Sequence, residues 1–318
     1  MKIDTHTEKQ IQQLSEKFKN SGQDLNSYLD GLLYDKYLTY WDYVNLDTLL
    51  SLQTTRTHFP DETIFITYHQ ITELYFKLII HELKQIIDDK LQQADFFRKK
   101  LERVNRYFRI LIDSFDVMIM GMEREQFLKF RMSLLPASGF QSAQFRMIEI
   151  HSTPLNHLAP PNIRGNFSEE NPIETLFENL YWKKGATDLE TGEKTLTLKQ
   201  FEYRYTPRFI RTAKELKNST VYHKYLQLPK KEKNNVNLIG EMRKFDVNVN
   251  INWLLMHMGA AHRYLNKESG KEISATGGTN WKTFLPPSFQ KVHFFPNLWT
   301  EQELENWGKE WVTHTFNT

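Results

Sequence analysis

The sequence predicts an all-α protein, a large helical bundle, and two observations support this. Three stretches of more than twenty residues carry apolar side chains at helical spacing and contain no proline: residues 62–88, 96–120 and 241–265. Only residues 183–198 combine turn residues with a pattern that would allow a β-hairpin, and we interpret them as a small inserted segment. The chain contains no internal repeat.

The most informative of these helices is predicted to begin at Pro60 and Asp61, which form a start signal. Phe65, His69 and Phe76 then fall on one face, and a second apolar face runs beside it. A helix with two neighbouring apolar faces is expected to be mostly buried.

The other elements are shorter. Residues 8–30 are predicted to form a polar amphipathic helix, and residues 38–54 a turn that leads into another helix. Residues 123–131 form a short helix, and Ser138 with Gln141 has the form of a capping box that opens the next one. We expect one domain over residues 1–318, with a helical arm at residues 1–37 and an insertion or loop region at about 160–235.

Composition excludes several functional classes. The chain has 41 Lys plus Arg against 39 Asp plus Glu, so its formal charge of +2 does not imply nucleic-acid binding. It has no cysteine, which excludes disulfides, thiolate metal sites and a cysteine nucleophile. The polar amino terminus and the lack of a long apolar run predict a cytoplasmic protein that makes no membrane contact.

Two histidines lie on apolar helix faces. His69 is, on pattern alone, more often a hydrogen-bonded core residue than a functional one. His257 poses the same choice, but residues 259–261 are small and would let a large flat ligand approach the helix. Because a neutral imidazole is the usual proximal ligand of haem iron when no thiolate is present, we interpret His257 as a haem ligand. Glu73 is expected to form an ion pair with Lys77 one turn away.

Two further groups could bind a charged substrate. Arg131 follows Phe127 by one turn, so its guanidinium could grip a carboxylate over an apolar pocket; a surface arginine is the alternative. Thr276 and Gly277 begin a glycine-containing loop that could cradle a small charged group or could be a plain turn.

Taken together, these stretches resemble the tryptophan 2,3-dioxygenase family over roughly residues 38–300. The resemblance is carried by residues 40–47 (YWDYVNLD), 62–70 (ETIFITYHQ) and 136–146 (PASGFQSAQFR), and by Trp253 with His257. Phe130 with Arg131 and residues 276–278 (TGG) add to it.

The resemblance implies a role for each matching residue. His257 would be the axial ligand of a b-type haem, with Trp253, Ala260 and Gly277 also contacting the cofactor. His69 would act on the distal side as the catalytic residue that bonds the indole N–H. The substrate pocket would be completed by the following residues: Phe65, Phe127, Arg131, Thr276, Tyr40 and Tyr43.

The activity implied is oxidative opening of the indole ring of L-tryptophan by O2, which gives N-formylkynurenine. The resemblance also implies a homotetramer, a dimer of dimers, in which the segment around Tyr40 and Tyr43 completes a neighbour's site. The chain departs from the family where Thr279-Asn280-Trp281 follow Gly278. A related haem enzyme that hydroxylates an aromatic amino acid or an indole derivative, and a haem-binding protein without turnover, are therefore the alternatives.

Overall fold

The structure is a computed structural model that describes residues 3–35, 38–91, 93–134, 141–184, 186, 193–265 and 285–309. These residues form helices joined by turns, and no sheet is found among them. The predicted all-α class is therefore confirmed. Two compact units are distinguished, residues 1–53 and 54–318. The predicted arm at 1–37 and the insertion at 160–235 stay predictions.

The first unit contains four helices: α1 (Thr5–Asn20), α2 (Leu25–Leu33), α3 (Tyr40–Val44) and α4 (Leu46–Leu50). The prediction of one helix over residues 8–30 is wrong, because Gly22 adopts a φ of 70° and ends α1. Asn45, with a φ of 53°, separates α3 from α4 in the same way.

The second unit contains the remaining described helices. They are α5 (Asp61–Asp88), α6 (Ala94–Ser114), α7 (Asp116–Ile119), α8 (Arg124–Phe130), α9 (Ala143–Ser152), α10 (Pro161–Arg164), α11 (Ile173–Glu178), α12 (Tyr181–Lys184), α13 (Leu196–Glu215), α14 (Val221–Gln227), α15 (Lys230–Lys233), α16 (Val236–Val247), α17 (Trp253–Leu265), α18 (Pro287–Gln290) and α19 (Glu301–Glu305). Short 3₁₀ turns cover Arg131–Leu134, Leu155–Leu158 and Pro296–Leu298.

Helix α5 is the centre of this unit. It packs against α6 on one side and α9 on another, and α6 in turn packs against α16. Ile79 and Leu83 of α5 and Leu101 and Phe108 of α6 are fully buried, as the helical spacing of their apolar residues predicts.

The predicted helix over residues 241–265 is interrupted. A π-helical turn over Asn248–Asn252 joins α16 to α17, and the Trp253 N–H donates to the Asn248 carbonyl, five residues back. A π turn accommodates one residue more than an α turn and often marks a functional site. Its sequence, Asn-Val-Asn-Ile-Asn, gave no helical signal that would have located it.

Glu62 fixes the start of α5. Its buried carboxylate accepts hydrogen bonds from the Arg56 N–H (2.9 Å), the Thr57 N–H (2.7 Å) and the Thr57 hydroxyl (2.5 Å). Burial raises the pKa of the Glu62 carboxyl, but these hydrogen bonds outweigh it and the pKa is lowered overall. The neighbouring Asp61 carboxylate accepts from the Glu123 N–H at 2.6 Å, which links this end of α5 to the start of α8.

Other predicted starts fall differently. Helix α9 is capped by Ser142, whose hydroxyl accepts from the Phe145 N–H at 3.2 Å, whereas Ser138 of the predicted capping box lies outside the described residues. Most of the predicted hairpin at 183–198 also lies outside them, and α13 has already begun at Leu196.

Across the described part of the chain, no helix combines the length and apolar character needed to span a membrane.

We predict that Glu62→Gln lowers the free energy of unfolding by about 1–3 kcal/mol, because the amide cannot accept every donor that the carboxylate satisfies. Chemical denaturation at pH 7 measures this. A carboxyl group whose pKa is lower in the folded than in the unfolded state stabilises the fold at pH values above its unfolded pKa. The difference in free energy of unfolding between the parent and Glu62→Gln should therefore become smaller as pH falls from 7 to 3.

Glu125→Gln is the matched control, since Glu125 is an exposed residue in the first turn of α8. Its effect should stay within about 0.5 kcal/mol. Equal destabilisation by both substitutions would contradict the assigned role of Glu62.

Candidate active site

His69 lies on α5, four residues after Phe65. Its side chain is exposed, yet desolvation by the surrounding protein lowers the pKa of its imidazole, and the hydrogen bond to the Phe65 carbonyl and the Glu73 carboxylate oppose this only in part. The ring Nδ1–H donates to the Phe65 carbonyl at 2.7 Å, so Nε2 of the neutral ring carries no proton and can accept a hydrogen bond.

His257 on α17 is held by a hydrogen bond of the same kind. Its Nδ1–H donates to the Trp253 carbonyl at 2.9 Å, which leaves Nε2 as the unprotonated atom. Burial lowers the pKa of His257 to about 4, so the imidazole is neutral near pH 7. A neutral imidazole with a fixed tautomer is the form that binds a metal.

A third histidine shows that this hydrogen bond alone does not define a site. The Nδ1–H of His151 on α9 donates to the Met147 carbonyl at 2.6 Å, but His151 is only 2% exposed and lies in the core. His257 is half-buried and His69 is exposed. Accessibility, rather than the local hydrogen bond, therefore distinguishes the two candidate functional histidines.

The two candidates lie within electrostatic reach of each other, since a charge on His69 further lowers the pKa of His257. Phe115 connects them through ring contacts. Its centroid is 4.8 Å from that of His257, 5.2 Å from Trp253 and 5.8 Å from Tyr68, which in turn packs edge-on against His69. Helices α5 and α17 therefore bring the predicted distal and proximal histidines to one aromatic cluster.

The aromatic wall continues onto α8. The Phe65 centroid lies 6.2 Å from Phe127 and 5.7 Å from Phe130, and Phe127 lies 4.5 Å from Tyr264 of α17. Phe65 and Phe127 stay partly accessible, whereas Phe130 is fully buried. The predicted indole-pocket residues Phe65 and Phe127 are thus placed together.

Arg131 follows directly, as the first residue of the 3₁₀ turn after α8. It is only 4% exposed, so the surface alternative is wrong. Burial lowers the pKa of its guanidinium, because desolvation disfavours the charged form. A guanidinium in such surroundings binds a carboxylate through charge-assisted, often paired, hydrogen bonds.

The small residues of α17 divide between two roles. A Cβ on Gly259 would come within 3.3 Å of Ile119 Cδ1, so this glycine allows close packing against α7 rather than making room for a ligand. Ala260 and Ala261 are half-buried and flank the same helix turn as His257. Only these two fit the predicted approach of a flat ligand.

Glu73 takes a different partner from the one predicted. Its carboxylate accepts from the Gln144 side-chain amide at 2.9 Å, and the same amide donates to the Glu73 carbonyl at 2.7 Å. No ion pair with Lys77 is found among the described side chains, so that prediction is wrong. The contact instead fixes α9 against α5, one turn beyond His69.

Several predicted site residues cannot be placed beside these. Thr276 and Gly277 lie outside the described residues. Tyr40 and Tyr43 belong to helix α3 of the first unit, where they are 71% and 75% exposed. The assigned roles of these four residues stay predictions.

Sequence reasoning gave no site role to two aromatic residues of the cluster, Phe115 and Phe130, although Phe130 was part of the family resemblance. Both carried a usable signal: Phe115 ends the apolar face of α6, and Phe130 immediately precedes Arg131. It missed the π turn before Trp253 altogether.

The residues present suit a haem iron. One neutral imidazole with its Nδ1–H bonded to a backbone carbonyl, flanked by Trp253, Ala260 and Ala261, provides the single nitrogen donor and apolar surroundings that a b-type haem uses. Within the part of the chain that the structure describes, no three His, Asp or Glu side chains come together as a metal-binding group, so a site for a bare metal ion is not found there.

The chain is similar to tryptophan 2,3-dioxygenases. The sequence profile described as tryptophan 2,3-dioxygenase matches residues 31–158, a range that includes His69 and Arg131 but not His257. The tryptophan 2,3-dioxygenase of Geobacillus thermodenitrificans is 29% identical over 280 residues, which cover 84% of this chain and 92% of the relative.

Shorter matches are closer in sequence. The tryptophan 2,3-dioxygenases of Bacillus thuringiensis and Herpetosiphon aurantiacus are 42% and 46% identical over 120 and 116 residues. These alignments cover 36% and 35% of this chain, and the chain spans 42% and 44% of the relatives' length. The predicted resemblance is confirmed by these relationships.

Proposed function

We propose that the chain is a haem-dependent dioxygenase that opens the indole ring of L-tryptophan, as its similarity to tryptophan 2,3-dioxygenases suggests. One observation carries the proposal: α5 and α17 bring two tautomer-fixed, accessible imidazoles, His69 and His257, to one aromatic cluster next to the buried Arg131. In this reaction one molecule of L-tryptophan and one of O2 give N-formylkynurenine, so both oxygen atoms end in the product.

His257 would hold the haem iron through Nε2, with Trp253, Ala260 and Gly277 around the macrocycle. When bound, the haem iron supplies the activation of O2 that no side chain of the protein can provide. The protein's part is to hold the imidazole neutral and in one tautomer, which burial and the Trp253 carbonyl achieve.

The opposite side of the cluster would bind the substrate. The unprotonated Nε2 of His69 accepts the indole N–H, and Phe65 and Phe127 cover the ring and exclude water. Arg131 grips the carboxylate with two parallel hydrogen bonds, and Thr276 meets the amino-acid end. Fixing the substrate at both ends orients the indole C2–C3 bond for attack.

The first unit supports a proposal about assembly. Tyr40, Trp41 and Tyr43 present aromatic rings to solvent from one short helix, which is unusual unless a partner covers them. We propose that this segment completes the site of a neighbouring subunit in a homotetramer. The cytoplasmic location stays a prediction.

Product analysis tests the activity. The full chain, reconstituted with haemin and reduced without oxygen, is given L-tryptophan and isotopically labelled O2, and the product is analysed by mass spectrometry. We expect N-formylkynurenine that carries two labelled oxygens, and no turnover by His257→Ala. A product with one labelled oxygen would identify a hydroxylase. Haem binding without any product would identify a haem-binding protein without turnover. Either result would overturn the proposal.

We predict that Arg131→Ala lowers kcat/KM for L-tryptophan, because a desolvated charge pair is lost. The loss should correspond to an increase of about 2–5 kcal/mol in the activation free energy. Arg131→Lys should recover little of this, since an ammonium cannot form the paired hydrogen bonds. Tryptamine, which lacks the carboxylate, is the control substrate: its kcat/KM should be nearly the same in both variants and the parent. An equal loss for both substrates would contradict the carboxylate contact, and the Soret spectrum reports any disturbance of the haem.

We predict that His69→Ala and methylation of the indole nitrogen each lower kcat/KM, because each removes the same hydrogen bond. Each loss should correspond to an increase of about 1–3 kcal/mol in the activation free energy. Steady-state kinetics of the parent and the variant with L-tryptophan and 1-methyl-L-tryptophan form a double cycle. The variant should discriminate little between the two substrates. Additive effects would show that His69 does not accept the indole N–H.

A further inference from the structure

Three asparagines, at positions 248, 250 and 252, occupy the π turn that precedes the His257 helix. Asn248 is 7% exposed and Asn250 is 4% exposed, although asparagine is rarely buried without a polar partner. Each side chain is bonded: Asn250 donates to Asp246 at 2.8 Å, and Asn252 donates to the Asn248 side-chain oxygen at 3.1 Å. The turn is therefore held by specific polar contacts rather than by apolar packing alone.

The contacts of Asn248 extend to another helix. Its side-chain amide donates to Asn105 Oδ1 of α6 at 3.2 Å. Asn105 is only 2% exposed, and its own amide donates to the Glu241 carbonyl at 2.9 Å and to the Glu241 carboxylate at 2.7 Å. Glu241, Asn105, Asn248 and Asn252 thus form one hydrogen-bonded chain that crosses from α16 to α6 and back to the π turn.

The backbone of Asn248 leads directly to the haem-ligand candidate. Its carbonyl accepts the Trp253 N–H, and the Trp253 carbonyl accepts the Nδ1–H of His257. Fixing the Asn248 side chain therefore fixes the peptide that begins α17, and with it the position of the Trp253 carbonyl to which His257 donates.

The rotation of α17 depends on the same turn. At 3.6 residues per turn, the one extra residue that a π turn accommodates corresponds to about 100° of rotation about the helix axis. If the turn relaxed to α-helix with the chain length unchanged, the residues of α17 would turn away from the face that α5 and Phe115 contact. A π turn is mostly found as a single interruption within α-helix, as it is between α16 and α17.

We propose that Asn105, Asn248 and Asn252 are positioning residues, which maintain the π turn and thereby aim His257 at the cofactor. This inference rests on the proposed function, because it assigns the asparagines a role toward the haem that His257 would bind. None of the three is required to touch the haem or the substrate. Partners of this kind around a metal ligand affect metal affinity by about 10- to 100-fold.

The test compares haemin binding by the full chain and its variants. Asn248→Ala removes the hydrogen bonds of the Asn248 side chain to Asn105 and to Asn252. Asn252→Ala removes only the bond between Asn252 and Asn248, and Asn252 is half-buried. We expect Asn248→Ala to weaken haemin binding by about 10- to 100-fold, and Asn252→Ala to weaken it by less. The iron–imidazole stretching band of the reduced protein should shift or broaden in the same order.

Ser152→Ala is the matched control. Its fully buried hydroxyl donates to the Ile148 carbonyl at 2.7 Å in α9, so the substitution removes one buried helix hydrogen bond away from the π turn. It should reduce stability while leaving haemin affinity and the iron–imidazole band unchanged, which separates positioning from a general loss of stability.

The possible outcomes are distinct. A folded Asn248→Ala protein that binds haemin as tightly as the parent, with the same iron–imidazole band, would overturn the inference. If that variant does not fold, unchanged binding by Asn252→Ala decides against the inference in the same way. Failure of the unaltered chain to bind haemin would overturn the proposed function itself, and would be seen before any variant is compared.

Discussion

The hydrogen bond from the Nδ1–H of His257 to the Trp253 carbonyl is the contact on which the site depends. It fixes which ring nitrogen carries the proton, and burial ensures that the ring is neutral near pH 7. Without this bond the imidazole could rotate, and either ring nitrogen could carry the proton. The surrounding helices therefore act to hold one peptide carbonyl, that of Trp253, at a defined depth and angle.

Trp253 is suited to that purpose because it is packed on several sides. Its indole makes edge-to-face contacts with Phe76 of α5 and with Phe115, and it lies 4.7 Å from the His257 ring. Such contacts favour one orientation of the ring as well as its burial. The apolar face of α5, which also carries Phe65 and His69, thus positions both sides of the site through one rigid element.

The sequence predicted the parts of this arrangement that follow from periodicity. Helical spacing placed Phe65, His69 and Phe76 on one face of α5, and all three lie on that helix. The small residues after His257 predicted access for a ligand, and His257 is half-buried on α17. Spacing could not reveal that Gly259 serves packing against Ile119, because that requires knowing which helix lies opposite.

The sequence could not establish the burial of Arg131 or the partner of Glu73, because both depend on which residues lie opposite in the folded chain. The Glu73–Lys77 spacing favoured an ion pair within one helix, but Gln144, seventy-one residues away, competes for the same carboxylate in the folded chain. The π turn escaped prediction because alternating asparagine and apolar residues have no helical period, and only the tertiary contacts of Asn105 and Asp246 make the turn favourable.

Asp246 shows how the same turn is held from its other side. Its carboxylate accepts from the Phe294 N–H, the Phe295 N–H, the Trp299 indole N–H and the Asn250 amide, at 2.8 to 3.2 Å. Burial raises its pKa to about 6, although these four donors oppose the increase. Since Asn248 is tied to α6 and Asp246 to the segment after residue 292, the turn cannot move toward one partner without breaking contacts to the other. The direction in which His257 points is thus determined by two sets of hydrogen bonds that arise from opposite sides of the helix.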